Sequence, residues 1–199
     1  MSVVGTAFRG MACAALVATL AHPANASTLI RAGLDELVAS HETIVVGQVV
    51  DAVSYWNAEG NFILTDYLVK PLDTVKGQSE AELTVTLMGG TVGDLTSMIV
   101  AGAELVPGRS YVLFLNHENL PGIDQALTVK EHCQGAYDIV EAKDGSLRAV
   151  SQANQHPLVP DRSGYVDAPG GVDGFAVDAM IQNLRETVER LERGQEVAQ

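Results

Sequence analysis

Two apolar stretches decide the fold: Thr43–Val53 reads TIVVGQVVDAV, and Tyr111–Leu115 reads YVLFL. The first is rich in β-branched residues and almost continuously apolar, which is the pattern of a strand buried on both faces. The second is the most hydrophobic strand candidate in the chain. We therefore expect both strands to lie inside a sheet, with Tyr111–Leu115 at its centre.

Shorter strand candidates surround these two, and no helical pattern separates them. Asp144-Gly145 is a hairpin turn signal, and hairpin connections favour antiparallel pairing. About seven short, closely spaced strands are typical of a barrel or sandwich. We predict a mainly β fold, a small antiparallel β-barrel of the oligonucleotide/oligosaccharide-binding (OB-like) type. The further strands are expected at Phe62 to about Lys70 with Pro71 near the end, Leu83–Met88, Met98–Val100, Ala126–Lys130, Ala136–Glu141 and Leu147–Val150.

A helix is predicted on each side of this β region. Ala32–Ser40 forms a short helix ahead of the first strand, with Leu34, Leu37 and Val38 on one face. A longer amphipathic helix runs from about Gly174 to Arg193, with Asp173 as its N-cap. We expect its apolar stripe to pack on the barrel; a docking or dimerising helix is the alternative. The stripe comprises Val177, Met180, Ile181, Leu184, Val188 and Leu191.

The N-terminus has the pattern of a secretory signal peptide. Arg9 precedes the apolar run Met11–Leu20, and Ala24-Asn25-Ala26 supplies the small residues of a cleavage site. The run is shorter than the roughly 20 residues that a membrane span needs. We predict a signal peptide at 1–26, a β-barrel domain at 27–151, a Gly/Pro-rich extended segment at 152–174 and a C-terminal helix at 175–199. The protein is then exported to the periplasm or secreted, with no membrane insertion after cleavage.

Charge and cysteine content exclude some classes of function. Without Arg9, the mature chain has 12 − 1 = 11 basic and 25 acidic residues, a net charge of −14. This balance repels nucleic acid and anionic membrane surfaces. Cys133 is the one cysteine after the signal peptide, so no internal disulfide can form.

The motif search favours no catalytic, metal or cofactor site. Gly89-Gly90-Thr91-Val92-Gly93 resembles a phosphate loop in composition, but Asp94 follows instead of Lys-Ser/Thr and no helix begins, so a turn or bulge is expected. The histidines at 41, 117, 132 and 156 lack zinc-ligand spacing, and the aspartates at 161, 167 and 173 lack EF-hand spacing. No Gly-x-Ser-x-Gly motif is present.

Several stretches together resemble a family of uncharacterised exported bacterial proteins. The order of strand, Lys-Gly turn, strand and Pro-Gly turn is also similar to the barrel of tissue inhibitors of metalloproteases and netrin-type modules. In those inhibitors an N-terminal cysteine chelates the target's zinc, whereas this chain is expected to begin at Ser27-Thr28 and has no disulfides. The resemblance therefore implies a barrel fold without that mechanism. It is carried by Leu34–Ser40, Ile44–Val49, Val75–Gly77, Gly89–Gly93, Pro107-Gly108 and Val112–Leu115.

These observations predict an exported, non-enzymatic binding module that recognises a protein partner, and the resemblance suggests a co-exported protease. Its expected contact surfaces are the aromatic end of the first hairpin and the glycine loop: Tyr55, Trp56, Gly89, Gly90 and Gly93. One alternative is a hydrolase or small-ligand-binding protein with a site built from dispersed residues such as His132, Cys133 and Asp138. The other is a structural envelope protein that self-associates through the stripe of the C-terminal helix.

Overall fold

A computed structural model describes residues 30–130, 132–155 and 173–197 of the chain. The predicted signal peptide lies outside these ranges, as do residues 156–172 of the Gly/Pro-rich segment, with His156, Asp161 and Asp167.

The described residues contain ten strands and two α-helices. The helices are α1 (Leu34–Ser40) and α2 (Val177–Val197). Two short 3₁₀ turns, at His132–Gly135 and Gln152–Gln155, connect strands near the end of the sheet order. The strands are β1 (Thr43–Trp56), β2 (Ile63–Lys76), β3 (Leu83–Met88), β4 (Gly90–Val92), β5 (Leu95–Ser97), β6 (Ser110–Leu120), β7 (Ile123–Val129), β8 (Ala136–Glu141), β9 (Leu147–Ser151) and β10 (Phe175–Ala176).

Eight of these strands form one antiparallel sheet in the order β10-β9-β8-β6-β1-β2-β3, with β7 also paired to β6. β4 and β5 form a separate hairpin. The strand predicted around Tyr111–Leu115 is β6, and its central position is confirmed, because it pairs with β1 on one edge and with β7 and β8 on the other. The mainly β class with a helix on each side is also confirmed.

The sheet is not closed into a barrel. β3 and β7 come close and run in the same direction, but no ladder joins them within the described residues. The edge of β6 opposite β1 pairs with two different strands. Tyr111–Leu113 pair with β8, and Leu115–Leu120 pair mainly with β7. Beyond β3, Gly89 with φ of +99° turns the chain away into the β4–β5 hairpin. The sheet therefore curls and branches without a continuous ring of hydrogen bonds.

Both faces are buried over Thr43–Val49 of β1 and Tyr111–Asn116 of β6, as the apolar sequence predicts. The prediction is wrong beyond Val49, because pairing of β1 with β6 ends at Gln48 and Val50 and Val53 are 42% and 57% exposed. Along β1, Ile44 and Val46 pack towards the helices, whereas Val45 and Val49 pack into the concave side of the curled sheet. β6 alternates in the same way, because successive side chains of a strand point to opposite faces. Each fully buried aliphatic side chain contributes about 1.5–3 kcal/mol of stability.

The C-terminal helix packs on its own sheet through the predicted stripe. Met180, Leu184 and Val188 are buried against α1 and the sheet, and the other three members of the stripe pack around them. α2 begins at Val177, later than expected, because Phe175-Ala176 pairs with Ala149 and Arg148 of β9. The prediction of Asp173 as N-cap is therefore wrong. None of the described helices is long and apolar enough to cross a bilayer.

Two strand predictions are corrected. Met98–Val100 is not a strand; the short strand is Leu95–Ser97, and the residues after it belong to a loop. β2 continues past Pro71 to Lys76. Pro71 is tolerated inside the strand because it faces Gly47 beside a register shift, where the ladder is already irregular.

Candidate functional site

A cavity of about 790 Å³ opens between the ends of β3 and β7, beside the edges of these strands that no described strand pairs with. The end of β3, the β4–β5 hairpin, the loop of residues 98–106 and the end of β7 form its walls. Its volume lies within the range typical of ligand pockets, and most of its lining residues are apolar or glycine. The residues that line the cavity include Leu87, Met88, Gly89, Gly90, Met98, Val100, Glu104, Leu105, Glu118, Val129, Lys130 and His132.

Hydrogen bonds to the rest of the fold anchor the loop 98–106 at Ala101, Glu104 and Val106. Ala101 has φ of +55°, which is costly for a residue with a side chain, and its carbonyl accepts a bond from the Cys133 N–H (2.9 Å). The Gln152 side chain bonds both the N–H and the carbonyl of Glu104. The Val106 N–H donates to the Tyr111 hydroxyl (2.9 Å). The backbone of this loop is therefore fixed by three separate parts of the core.

Apolar side chains on this fixed loop face solvent. Met98 is 84% exposed and Val100 is 90% exposed, and Met88 across the cavity is also exposed. Exposed apolar groups are common singly, but a group of them at the rim of a cavity marks an interaction surface. Methionine suits such a surface because its flexible thioether adapts to different partners. We call Met88, Met98 and Val100 the apolar rim.

Few charged groups lie at the cavity. Lys130 and Glu118 form an ion pair with an N–O distance of 3.5 Å, and both side chains are partly exposed. Tyr67 lies half-buried in the wall, and burial is the main cause that raises the pKa of its hydroxyl. This tyrosine therefore stays a neutral hydrogen-bonding group at physiological pH.

The glycine loop forms part of the cavity wall, and the expected turn is confirmed. Gly89 lies between β3 and β4, Gly90 (φ +130°) begins β4, and Gly93 (φ +60°) lies in the tight turn of the β4–β5 hairpin. A Cβ on Gly90 would lie 2.2 Å from Thr65 Oγ1 and 2.5 Å from Ser54 Oγ, so only glycine allows this close approach. No helix begins here.

Hydrogen bonds connect the glycine loop to the aromatic end of the first hairpin. The Thr65 hydroxyl donates to the Gly89 carbonyl (2.7 Å) and lies 2.8 Å from the Ser54 hydroxyl. Tyr55 and Trp56 follow Ser54 on β1. The two predicted contact surfaces are therefore neighbours in the structure.

Of the two aromatic residues, Trp56 is the more available for contact. Trp56 is 40% exposed at the end of β1. The Tyr55 hydroxyl donates to Asp66 (3.0 Å), and burial together with this carboxylate raises the pKa of Tyr55 to about 12. The hydroxyl of Tyr55 is thus already occupied within the sheet.

The residues named for a dispersed catalytic site do not form one. His132 lies exposed at the cavity, whereas the adjacent Cys133 is fully buried, and burial raises the pKa of its thiol. A protonated, inaccessible thiol is not a nucleophile. Asp138 bonds the Gln152 amide at 3.4 Å, and no hydrogen bond among the described residues joins it to His132 or Cys133.

The other histidines within the described ranges have structural environments. His41 is buried, with Nδ1 2.6 Å from the Leu37 carbonyl and its ring edge-on to Phe114. His117 pairs with Glu42 at 2.9 Å on the surface. In the part of the chain that the structure describes, no three His, Cys, Asp or Glu side chains converge as metal ligands would.

Comparison with protein-family models and with curated proteins finds no match for this chain. Its function must therefore be inferred from its own residues. The loop 98–106 is the part of this site that the sequence prediction missed, because Met98-Ile99-Val100 was interpreted as a strand. The sequence does contain a signal for a loop. The three apolar residues are followed at once by Ala101-Gly102-Ala103 and soon by a Pro-Gly turn, so the apolar run is too short to form a paired strand.

Proposed function

We propose that this protein is an exported, non-enzymatic binding module that recognises a protein partner. The observation that carries the proposal is the exposed pair Met98 and Val100 on a loop that is hydrogen-bonded to three parts of the core. A loop that is held rigid while Met98 and Val100 face water presents a prepared contact surface, since little conformational entropy remains to be lost on binding.

The contact surface extends from this loop to the glycine hairpin and the exposed Trp56. Gly89 and Gly90 line the cavity, and Trp56 lies two residues beyond Ser54, which adjoins Gly90. Aromatic and methionine side chains are enriched at protein interfaces. The five residues predicted from the sequence, Tyr55, Trp56, Gly89, Gly90 and Gly93, thus belong to the proposed surface, with Tyr55 in a supporting position.

For the finer fold we propose an OB-like barrel in which β3 and β7 form the unpaired seam. The order β1-β2-β3 on one side and β1-β6-β7 on the other, with β3 and β7 running in the same direction, supports this assignment. The resemblance to the barrel of metalloprotease inhibitors suggests a co-exported protease as the partner.

Affinity capture with three baits tests the proposal. The baits are residues 27–199 of the wild type, of Met98→Asp/Val100→Asp and of the control Val140→Asp/Leu147→Asp, whose positions are exposed on the β8–β9 hairpin. Each is exposed to envelope extract and culture medium of the source organism, and retained proteins are quantified by mass spectrometry. We expect one protein to be retained by the wild type and the control and to fall at least tenfold on the rim variant.

Identical retention by all three baits would contradict the proposed surface. Multiple-turnover hydrolysis of a peptide or ester by the purified chain, lost in Cys133→Ser, would favour the hydrolase alternative instead. The self-association alternative requires an exposed stripe on α2, whereas this stripe packs on the chain's own sheet. The cavity volume favours small-ligand binding as the second candidate function.

A further inference from the structure

We infer that the cavity receives apolar side chains from a segment of the partner polypeptide in which lysine or arginine stands next to those side chains. This inference rests on the proposed function and names the chemistry of the partner. It is carried by the shape of the cavity, by the charge of its lining and by the hydrogen bonds that hold the backbone of one acidic residue there.

The interior of the cavity is suited to side chains rather than to backbone. Leu87, Leu105 and Val129 are buried residues of its wall, and the apolar rim continues this surface outward to solvent. A volume of about 790 Å³ accommodates several aliphatic or aromatic side chains. Burying them removes both their surface and the exposed rim from water, which is the main source of binding free energy.

The charges at the cavity favour a cation beside those apolar groups. Glu104, Glu118 and Lys130 line it, so the net charge is 1 − 2 = −1 with His132 neutral. Glu118 and Lys130 are paired with each other. Among the described residues no cation forms an ion pair with the Glu104 carboxylate. The unbalanced charge at the cavity is therefore that of Glu104.

The backbone of Glu104 is held by two hydrogen bonds from one side chain. Gln152, which is buried, accepts from the Glu104 N–H (2.9 Å) and donates to its carbonyl (2.7 Å). A charge on a fixed backbone loses less entropy when it pairs than one on a mobile loop. The backbone of Glu104 thus has a defined place on the cavity wall, and its exposed side chain extends from there.

The net charge of the whole chain also favours a basic partner segment. Its net charge of −13 repels fatty acids and acidic peptides, and it attracts basic segments to the surface. An apolar ligand with an anionic head therefore fits this cavity poorly. A second copy of this acidic chain is also disfavoured as occupant, because both copies carry the same charge.

A peptide array tests the inference directly. It presents heptapeptides with two or three central apolar residues flanked by lysine, by glutamine or by glutamate, and the probe is fluorescently labelled 27–199 chain. We expect the lysine-flanked members to retain at least tenfold more chain than the glutamate-flanked ones, and the difference to shrink in 0.5 M salt, where the Debye length falls to about 4 Å. Glu104→Gln should reduce the preference several-fold, whereas Glu141→Gln on the exposed β8–β9 hairpin should not.

Other outcomes overturn the inference. These are equal retention by the three peptide classes, no retention at all, or a lysine preference that Glu104→Gln leaves unchanged. Tight binding of the neutral probe N-phenyl-1-naphthylamine without peptide binding would assign the cavity to a small apolar ligand, and a dimer lost in Met98→Asp/Val100→Asp would assign it to a second copy. If the captured protein still depends on the apolar rim while no basic peptide binds, the inference fails and the proposed function stands.

Discussion

Gln152 bonds the backbone of Glu104 on both sides, with its amide oxygen 2.9 Å from the Glu104 nitrogen and its amide nitrogen 2.7 Å from the Glu104 carbonyl oxygen. The two residues lie 48 positions apart in the chain. This pair links the loop 98–106 to the 3₁₀ turn that follows β9. The buried Gln152 amide makes the two hydrogen bonds to the Glu104 backbone that a neighbouring strand would otherwise make. The loop is therefore held at this residue although it lies outside the sheet.

Replacing Gln152 by alanine should destabilise the protein and loosen the loop. The substitution removes the two hydrogen bonds to the part-buried N–H and carbonyl of Glu104, each worth about 0.5–1.5 kcal/mol. Urea unfolding should show the loss, and hydrogen exchange at Glu104 should accelerate by at least tenfold. Gln182→Ala on the exposed face of α2 is the control and should change stability by less than about 0.5 kcal/mol. Unchanged exchange at Glu104 would contradict the role given to Gln152.

Cys133 should be unreactive in the folded protein. Its side chain is fully buried, and burial raises the pKa of its thiol, so neither access nor thiolate is available. We expect iodoacetamide to label the 27–199 chain at least a hundredfold faster in unfolding concentrations of urea than in buffer. Rapid labelling of the folded chain would reopen the alternative in which Cys133 is a nucleophile.

Gly174 and Gly194 should respond in opposite directions to alanine. Gly174 has φ of +69°, and a Cβ there would lie 2.4 Å from the Ala149 carbonyl oxygen. Gly174→Ala should therefore displace the β9–β10 pairing and lower the free energy of unfolding by more than about 1 kcal/mol. At Gly194, inside α2, a Cβ meets no atom within 4 Å, and alanine should stabilise the helix by about 0.5–1 kcal/mol. Chemical denaturation of both variants checks the contrast, and equal effects would argue against it.

Stability should fall between pH 10 and pH 12 partly because of Tyr137. Burial raises the pKa of this tyrosine from 10.0 to about 12. The folded state therefore keeps a proton that the unfolded state loses, so the contribution is complete below pH 10 and is lost as the pH rises through 12. Tyr137→Phe should show a shallower decline in unfolding free energy over this range. A decline as steep as that of the wild type would show that other groups cause the loss of stability at alkaline pH.

The sequence was sufficient for the elements that bury continuous apolar surface. Runs of β-branched and aromatic residues predict β1 and β6, which are buried on two faces over Thr43–Val49 and Tyr111–Asn116. The stripe of α2 was predicted from its 3.6-residue period, and it packs as expected. In these cases local pattern and tertiary burial agree, since the same side chains that define the period also form the core.

The sequence alone did not locate the site, and the reason is the range of the contacts that form it. The bond from Val106 to Tyr111 is local, whereas Cys133 and Gln152 bond the loop 98–106 from far along the chain, at separations that no periodicity reveals. The same holds for the start of α2, where pairing of Phe175-Ala176 with β9 takes precedence over local capping by Asp173.

The sequence by itself thus determined the mainly β class, the central strands and the apolar face of the last helix, because these follow from side chains a few residues apart. The tertiary structure alone decided that the sheet stays open between β3 and β7 and that Met98 and Val100 face solvent beside the resulting cavity. Whether an apolar residue is buried depends on which distant backbone groups hold its loop in place. That choice is made by hydrogen bonds formed only when the whole sheet has assembled.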